Sequence, residues 1–167
     1  MADEALFPGY REQVRFGALT IDGQGVWHYG NFAIVLKEVM ISHRASVFEE
    51  NSVMFMRHHN IAVWDADALP KGYRTTWAER HKVCLAKLAD KLGTETEPRD
   101  YASILLEQGA TPAEDNFVEV HIWGSLTRRT FERVVVRETS LRPAARVVLK
   151  DLEDQLEPMG VRVEMSV

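Results

Sequence analysis

The segment that most constrains the fold spans residues 116–124 and has the sequence NFVEVHIWG. Successive side chains of a β-strand point to opposite faces of the sheet, so this segment divides into two sets. The apolar side chains that share one face are Val118, Val120 and Ile122. The side chains that share the other face are Phe117, Glu119, His121 and Trp123. We therefore expect a strand that is buried on one side and carries polar groups on the other.

A single carboxylate, Glu119, stands on the second face beside an imidazole, His121, and two aromatic rings. An acid among aromatic rings is a setting in which its pKa can be shifted and a developing positive charge can be stabilised. The simpler interpretation is an edge strand whose outer face is half in contact with water. The pattern itself leaves both interpretations open.

The length and composition of the chain are typical of one globular domain covering residues 1–167, with 46% hydrophobic and 27% charged residues. No apolar run approaches the roughly 20 residues that a membrane span needs, so no membrane association is expected. The first residues lack the basic and apolar regions of a signal peptide, and a single cysteine, Cys84, cannot form an internal disulfide. These features favour a cytoplasmic protein, and delivery by a specialised secretion system is compatible with them.

Charge and motif spacing argue against several functional classes. The formal net charge is −5 with acidic and basic residues interspersed, so nonspecific nucleic-acid binding is not expected. The chain has neither an H-E-x-x-H nor a C-x-x-C spacing, so no metal site is predicted. Cys84 falls on the apolar face of a predicted helix and is interpreted as a core residue rather than a nucleophile.

The hydrophobic periodicity predicts an α+β fold. Strands are predicted at 14–21, 32–37, 44–48, 53–56, 61–64, 116–124, 132–137 and 161–165, with 32–37 as a buried central strand. Helices are predicted at 77–92 and 98–108, and a third helix is predicted to begin at Ser140. A glycine-rich loop at 22–31 lacks the third glycine and the following helix of a dinucleotide fingerprint, and is more typical of a hairpin.

Several short motifs occur in an order that is similar to that of a known family. They are FGAL at 16–19, YGN at 29–31, VLK at 35–37, RASVFEENS at 44–52 and FVEVHIWG at 117–124. A Leu-Thr turn and a valine-rich strand follow the last motif. Over residues 14–56 and 116–137, this order resembles bacterial toxin-like domains related to ADP-ribosyltransferases.

The resemblance implies a split mixed β-sheet with inserted helices that holds NAD, as the substrate, in a cleft between its two halves. A glutamate on a late strand of such enzymes hydrogen-bonds the nicotinamide ribose and stabilises the oxocarbenium-like transition state. Glu119 matches that glutamate. Ser46 or Ser52 could match the serine that orients it.

The same resemblance implies further contacts with NAD. Arg15 or His28 would meet the phosphates or a ribose, and Tyr29 or Trp27 would stack on the nicotinamide. Gly17, on the first strand, and His121 complete the expected set of cofactor-binding residues. No metal is implied.

The implied activity is that of an NAD-dependent mono-ADP-ribosyltransferase or NAD glycohydrolase, in a bacterial toxin or effector. Its partners would be NAD, a macromolecular acceptor and a cognate immunity or antitoxin protein. Arginine-modifying members carry a second acid two residues before the glutamate, where this chain has Phe117. Arginine is therefore disfavoured as the acceptor. The alternative is a catalytically inactive binding protein of the same fold, acting as a partner in a toxin or defence complex.

Overall fold

The computed structural model describes residue 7 and residues 9–61, 72–137 and 143–166. This part of the chain mixes helices and strands, so the predicted α+β class is confirmed. The predicted start of the third helix at Ser140 and most of the predicted strand at 61–64 lie outside the described residues.

The larger sheet has four antiparallel strands. In spatial order they are β1 (Val14–Ala18), β7 (Glu119–Trp123), β3 (Ala45–Phe48) and β4 (Arg74–Thr76). The strand that carries Glu119 is therefore flanked on both sides, and the interpretation of an edge strand is wrong. Its central position explains why Glu119 is surrounded by protein rather than water.

The second sheet has three strands in the order β2 (Phe32–Leu36), β8 (Phe131–Arg137) and β9 (Arg162–Ser166). β2 runs antiparallel to β8, whereas β8 and β9 are parallel. The prediction of a buried central strand at 32–37 is wrong, because β2 is an edge strand and Phe32 and Ile34 are each 49% exposed. The valine-rich β8 takes the central position instead.

A short third pair joins β5 (Leu106–Glu107) to β6 (Asn116–Phe117). Phe117 lies opposite Leu106 in this pair. It therefore belongs to a different strand from Glu119, and the predicted shared face of Phe117 and Glu119 is not a feature of one continuous strand.

The described α-helices are α1 (Glu38–Ile41), α2 (Ser52–His58), α3 (Arg80–Ala89), α4 (Tyr101–Leu105) and α5 (Pro143–Leu156). The helices predicted at 77–92 and 98–108 are confirmed as α3 and α4, each shorter than predicted and each preceded by a 3-10 turn. Helix α2 replaces the predicted strand at 53–56.

A local hydrogen bond explains the start of helix α2. The side chain of Asn51 accepts a hydrogen bond of 2.9 Å from the backbone N–H of Met54. This is an N-terminal cap, which favours a helix even where the following residues have apolar, strand-like character. The helix matters for the site, because it places Ser52 next to Glu119.

The main core lies on the apolar face of β7. Val118, Val120 and Ile122 are all buried, which confirms the predicted apolar face. The other buried members of this core are Ile41, Val47, Trp77 and Val83. A second core forms against β8 and consists of Val134, Val136, Leu149, Leu156 and Val161. Each sheet is thus stabilised by apolar packing of its own.

Strand β1 forms one edge of the larger sheet, and strand β2 forms one edge of the second sheet. Side chains from both strands line one cleft, which we call the central cleft. The glycine-containing segment 19–31 connects β1 to β2, so it passes between two sheets and does not close the hairpin expected for it. A Cβ on Gly25 would lie 2.6 Å from that of Ala33, so glycine lets this segment pack closely on β2.

Candidate functional site

The central cleft has a volume of about 870 Å³, which falls in the range of roughly 300–1,000 Å³ typical of small-molecule sites. Its walls come from β1, β2 and the segment that joins them. Glu119 and Ser52 line the same cleft, which brings the predicted acid to a space that can hold a ligand.

Glu119 is the first residue of β7 and lies opposite Ala18 on β1 and Phe48 on β3. The residue is only 6% exposed. A carboxylate buried to this degree must be satisfied by hydrogen bonds, because burial without partners would be very costly. Its partners therefore determine what it can do.

Three hydrogen bonds hold the Glu119 carboxylate. The backbone N–H of Ser52 donates to Oε2 at 3.0 Å, and the hydroxyl Oγ of Ser52 donates to Oε1 at 2.5 Å. The Nε2 atom of His121 lies 2.5 Å from the same Oε1. A carboxylate has about four acceptor positions. One position on Oε2 is thus left without a donor among the described residues.

His121 is buried behind the carboxylate in a cluster of aromatic rings. Its ring centroid lies 4.6 Å from that of Phe7, 5.4 Å from Phe16 and 6.1 Å from Phe48. Because its partner is an acceptor, the imidazole Nε2 carries the hydrogen that is shared with Glu119. His121 does not line the central cleft, so the structure places it as a support for Glu119 and not at a cofactor surface.

A cation lies close to this buried pair. The guanidinium of Arg74 stands 5.1 Å from the ring centroid of Phe7 and 5.6 Å from that of Phe48. Partial burial lowers the pKa of Arg74 from its usual value, and the negative charge of Glu119 opposes this shift. No local sequence pattern points to Arg74, because it lies on a three-residue strand that is far from the other site residues in the chain.

His28 contacts a different carboxylate, that of Asp115. Its Nδ1 atom lies 2.9 Å and 3.1 Å from the two carboxylate oxygens of Asp115, which is fully buried. The backbone N–H of Gly109 donates to Asp115 at 3.0 Å. Asp115 thus anchors the 3-10 turn Trp27–Tyr29, and His28 serves this anchor rather than projecting freely toward a ligand.

Tyr29, the next residue, lines the central cleft and is 64% exposed. Partial burial raises the pKa of Tyr29, and the negative charges of Asp115 and Glu119 raise it further. The phenol therefore stays neutral at ordinary pH. Its ring is available for a planar ligand near the Glu119 carboxylate.

The remaining predicted residues divide between the cleft and its exterior. Gly17 lines the cleft, and a Cβ at this position would meet no atom within 4 Å. Arg15 instead donates to the backbone carbonyls of Glu12 and Val14 and does not line the cleft. The expectation that Arg15 meets a ligand phosphate therefore has no support from its position.

The two serine candidates are also distinguished by position. Ser46 lies opposite His121 in the pairing of β3 with β7 and does not line the cleft. Ser52 makes both hydrogen bonds to Glu119 described above. The contact with the candidate acid thus belongs to Ser52.

Two arginines that the sequence reasoning missed also line the cleft. Arg80 pairs with Glu38 at 3.0 Å and lies over the ring of Trp77. Arg133 pairs with Glu132 at 3.0 Å and projects from β8. Both could meet an anionic ligand. The alternation of the strand 132–137 could have identified Arg133, whereas nothing in the sequence relates Arg80 to Glu119.

Other chemical roles have little support in the described residues. No group of three or more His, Cys, Asp or Glu side chains that could hold a metal ion occurs in this part of the chain. Cys84 is half-buried, and burial raises the pKa of its thiol, which is the opposite of what a nucleophile at neutral pH needs. None of the described helices combines the length and apolar character that crossing a bilayer requires.

Comparison of the chain with protein-family models, curated proteins and solved structures gave no significant match.

Proposed function

We propose that this protein cleaves NAD at the bond between nicotinamide and ribose, as a mono-ADP-ribosyltransferase or an NAD glycohydrolase. The observation that carries the proposal is the Glu119 carboxylate, which lines a ligand-sized cleft between two sheets and is held by Ser52 and His121. The order of motifs that resembles ADP-ribosyltransferases places the catalytic glutamate at the same residue.

The chemistry needs little more than a fixed negative charge. When the glycosidic bond breaks, its electron pair leaves with nicotinamide, which becomes neutral, and the ribose carbon becomes an oxocarbenium-like cation. A carboxylate positioned beside the ribose stabilises this cation more than it stabilises the ground state. Water or an acceptor then adds to the ribose carbon and releases a proton.

Other cleft residues suit the remaining parts of NAD. The exposed ring of Tyr29 can stack on the nicotinamide. Arg80 and Arg133 line the cleft, and a diphosphate would bind them in competition with their carboxylate partners, which are Glu38 for Arg80 and Glu132 and Glu164 for Arg133. Gly17 leaves open space on β1 for a ligand to approach the backbone.

The acceptor in this proposal is water or a macromolecule in which arginine is not the modified residue. Phe117 stands two residues before Glu119 and is buried on a separate strand, so it supplies no second acid. A role as a bacterial toxin or effector that acts in the cytoplasm, together with a cognate immunity or antitoxin protein, belongs to the same proposal.

A catalytically inactive binding protein is the second candidate. It is favoured by the low exposure of Glu119 and by the three protein hydrogen bonds to its carboxylate. Buried carboxylates satisfied in this way also occur as purely structural elements. The two candidates differ in whether NAD is consumed.

The test is nicotinamide release by the purified full chain, measured by chromatography, together with NAD binding measured by calorimetry. The proposal expects release from NAD and no release from NADH, whose reduced ring is a poor leaving group. Binding of NAD without release, with and without a cell extract as a source of acceptors, would support the inactive binding protein. A protein that neither binds NAD nor releases nicotinamide would contradict the proposed activity.

A further inference from the structure

A second polar side chain in the central cleft has an unfilled hydrogen-bonding group. Asn51 is only 2% exposed, and it lines the cleft beside Ser52 and Glu119. Its amide nitrogen Nδ2 is buried and has no hydrogen-bond partner among the described residues. Buried polar groups are satisfied in the great majority of cases, so this donor requires an explanation.

The orientation of the Asn51 amide is determined by the helix cap. Its Oδ1 accepts the hydrogen bond from the N–H of Met54, at 2.9 Å. Exchanging the oxygen and nitrogen would place an NH₂ donor against that N–H donor and would remove the cap. The NH₂ group must therefore be the end that is left without an acceptor.

The neighbouring carboxylate has the complementary vacancy. Oε2 of Glu119 accepts one hydrogen bond, from the backbone N–H of Ser52, the residue that follows Asn51. It can accept a second one. A donor and an acceptor are thus both unfilled on two residues of one cleft that are linked through Ser52. Together they are complementary to a hydroxyl group, which can accept and donate at once.

We propose that Asn51 is a substrate-positioning residue that donates from Nδ2 to a hydroxyl oxygen of the nicotinamide ribose, while the ribose diol donates to Oε2 of Glu119. This inference rests on the proposed function and deepens it, because it names the part of the substrate that the Asn51–Glu119 pair recognises. Asn51 orients the ribose against the carboxylate and takes no part in bond breaking.

The test compares wild type with Asn51→Ser and Asn51→Asp. Serine and aspartate are both good helix caps, so the cap of α2 is retained while the NH₂ donor is lost. Nicotinamide release is measured with NAD and with two analogues in which the 2′- or the 3′-hydroxyl of the nicotinamide ribose is replaced by hydrogen. Thermal melting serves as the control for folding.

We expect kcat/KM for NAD to fall about tenfold in Asn51→Ser, the scale of one lost hydrogen bond, with a melting temperature close to that of wild type. Asn51→Asp should fall at least as far, because it adds a negative charge beside Glu119. On one of the two deoxy analogues, wild type and Asn51→Ser should react equally fast, which identifies the hydroxyl that Asn51 binds.

Wild-type rates for both variants with NAD would overturn the inference and leave the proposed function intact. An equal loss with NAD and with both analogues would also overturn it, because a purely structural role would produce that pattern. Absence of both NAD binding and nicotinamide release in wild type would contradict the proposed function itself, and the inference would fall with it.

Discussion

Ser52 binds Glu119 twice, through its backbone N–H to Oε2 at 3.0 Å and through its hydroxyl to Oε1 at 2.5 Å. The two residues are 67 positions apart in the chain, and the contact joins the start of α2 to the first residue of β7. The geometry of the candidate acid therefore depends on the helix as well as on the sheet.

The hydrogen bond from the Ser52 hydroxyl to Glu119 can be removed without removing the one from the Ser52 backbone N–H. In Ser52→Ala, the carboxylate of Glu119 keeps its hydrogen bonds to the backbone N–H of residue 52 and to His121 but loses one of its three anchors. We expect nicotinamide release to slow by about tenfold or more, because catalytic groups must be held within a fraction of an ångström. Stability should fall by roughly 1–3 kcal/mol, as one acceptor position of a buried carboxylate loses its donor.

Ser46→Ala is the matched control for this variant. It removes a hydroxyl from β3, opposite His121, at a position that does not line the cleft. Its rate of nicotinamide release should stay near that of wild type. Equal slowing in Ser46→Ala and Ser52→Ala would show that the double contact of Ser52 is not what orients Glu119.

Asp115 anchors the turn that carries Tyr29, so its replacement should affect both stability and the cleft. The fully buried carboxylate of Asp115 accepts hydrogen bonds from His28 and from the backbone N–H of Gly109, and Asp115→Asn removes its negative charge. Hydrogen bonds to charged groups contribute about 1.5–3 kcal/mol, and we expect a loss of about 2 kcal/mol in the free energy of unfolding. Urea denaturation measures this change.

Asp90→Asn provides the comparison, because Asp90 is an exposed residue at the end of α3. Its free energy of unfolding should match that of wild type within about 0.5 kcal/mol. A similarly small effect of Asp115→Asn would mean that the buried aspartate contributes little to holding the turn.

The lowered pKa of Lys87 predicts that the stability of the protein depends on pH. Burial, together with the positive charge of Lys91, lowers the pKa of Lys87 from 10.5 to about 8 in the folded protein. Between these two values the unfolded chain binds a proton that the folded chain does not, so this residue makes stability rise with pH. Below pH 8 both states are protonated, and the penalty for burying the charge is constant.

The prediction is tested with Lys87→Met, which removes the titrating group. The free energy of unfolding of wild type, relative to the variant, should increase by about 1–3 kcal/mol between pH 7.5 and 10.5. Taking the difference cancels the titration of groups that the two proteins share. A difference that stays constant over this range would contradict the lowered pKa of Lys87.

The parts of this fold that could be predicted are those in which local pattern and tertiary environment agree. The alternation of Val118, Val120 and Ile122 predicted a buried face, and packing against the core confirms it. The mixed helix and strand content followed from the same kind of periodicity. Glu119 could be named, with Ser46 or Ser52 as its neighbour, because these residues stand in short motifs that resemble a known family. The fold then distinguishes the two serines, since the hydrogen bonds to Glu119 come from Ser52.

The failures arise where long-range structure decides, or where a local helix cap overrides the apolar pattern. The run at 32–37 is apolar enough for a central strand, but the sheet order makes it an edge strand. The run at 53–56 has strand-like residues, but the Asn51 cap starts a helix there. Arg74 and Phe7 reach the Glu119–His121 pair from remote parts of the chain, and no local pattern could have related them to it.

The most direct test of the proposed chemistry is single-turnover release of nicotinamide from NAD by wild type and by Glu119→Gln. Glutamine keeps the shape of the side chain and one acceptor oxygen but loses the negative charge. Glu157→Gln, at an exposed position outside the cleft, is the matched control, and thermal melting reports on folding. If Glu119 stabilises the oxocarbenium-like transition state, Glu119→Gln will be slower by roughly 10²-fold or more, with NAD binding changed much less and Glu157→Gln unchanged. Equal rates of release in wild type and in folded Glu119→Gln would contradict the account.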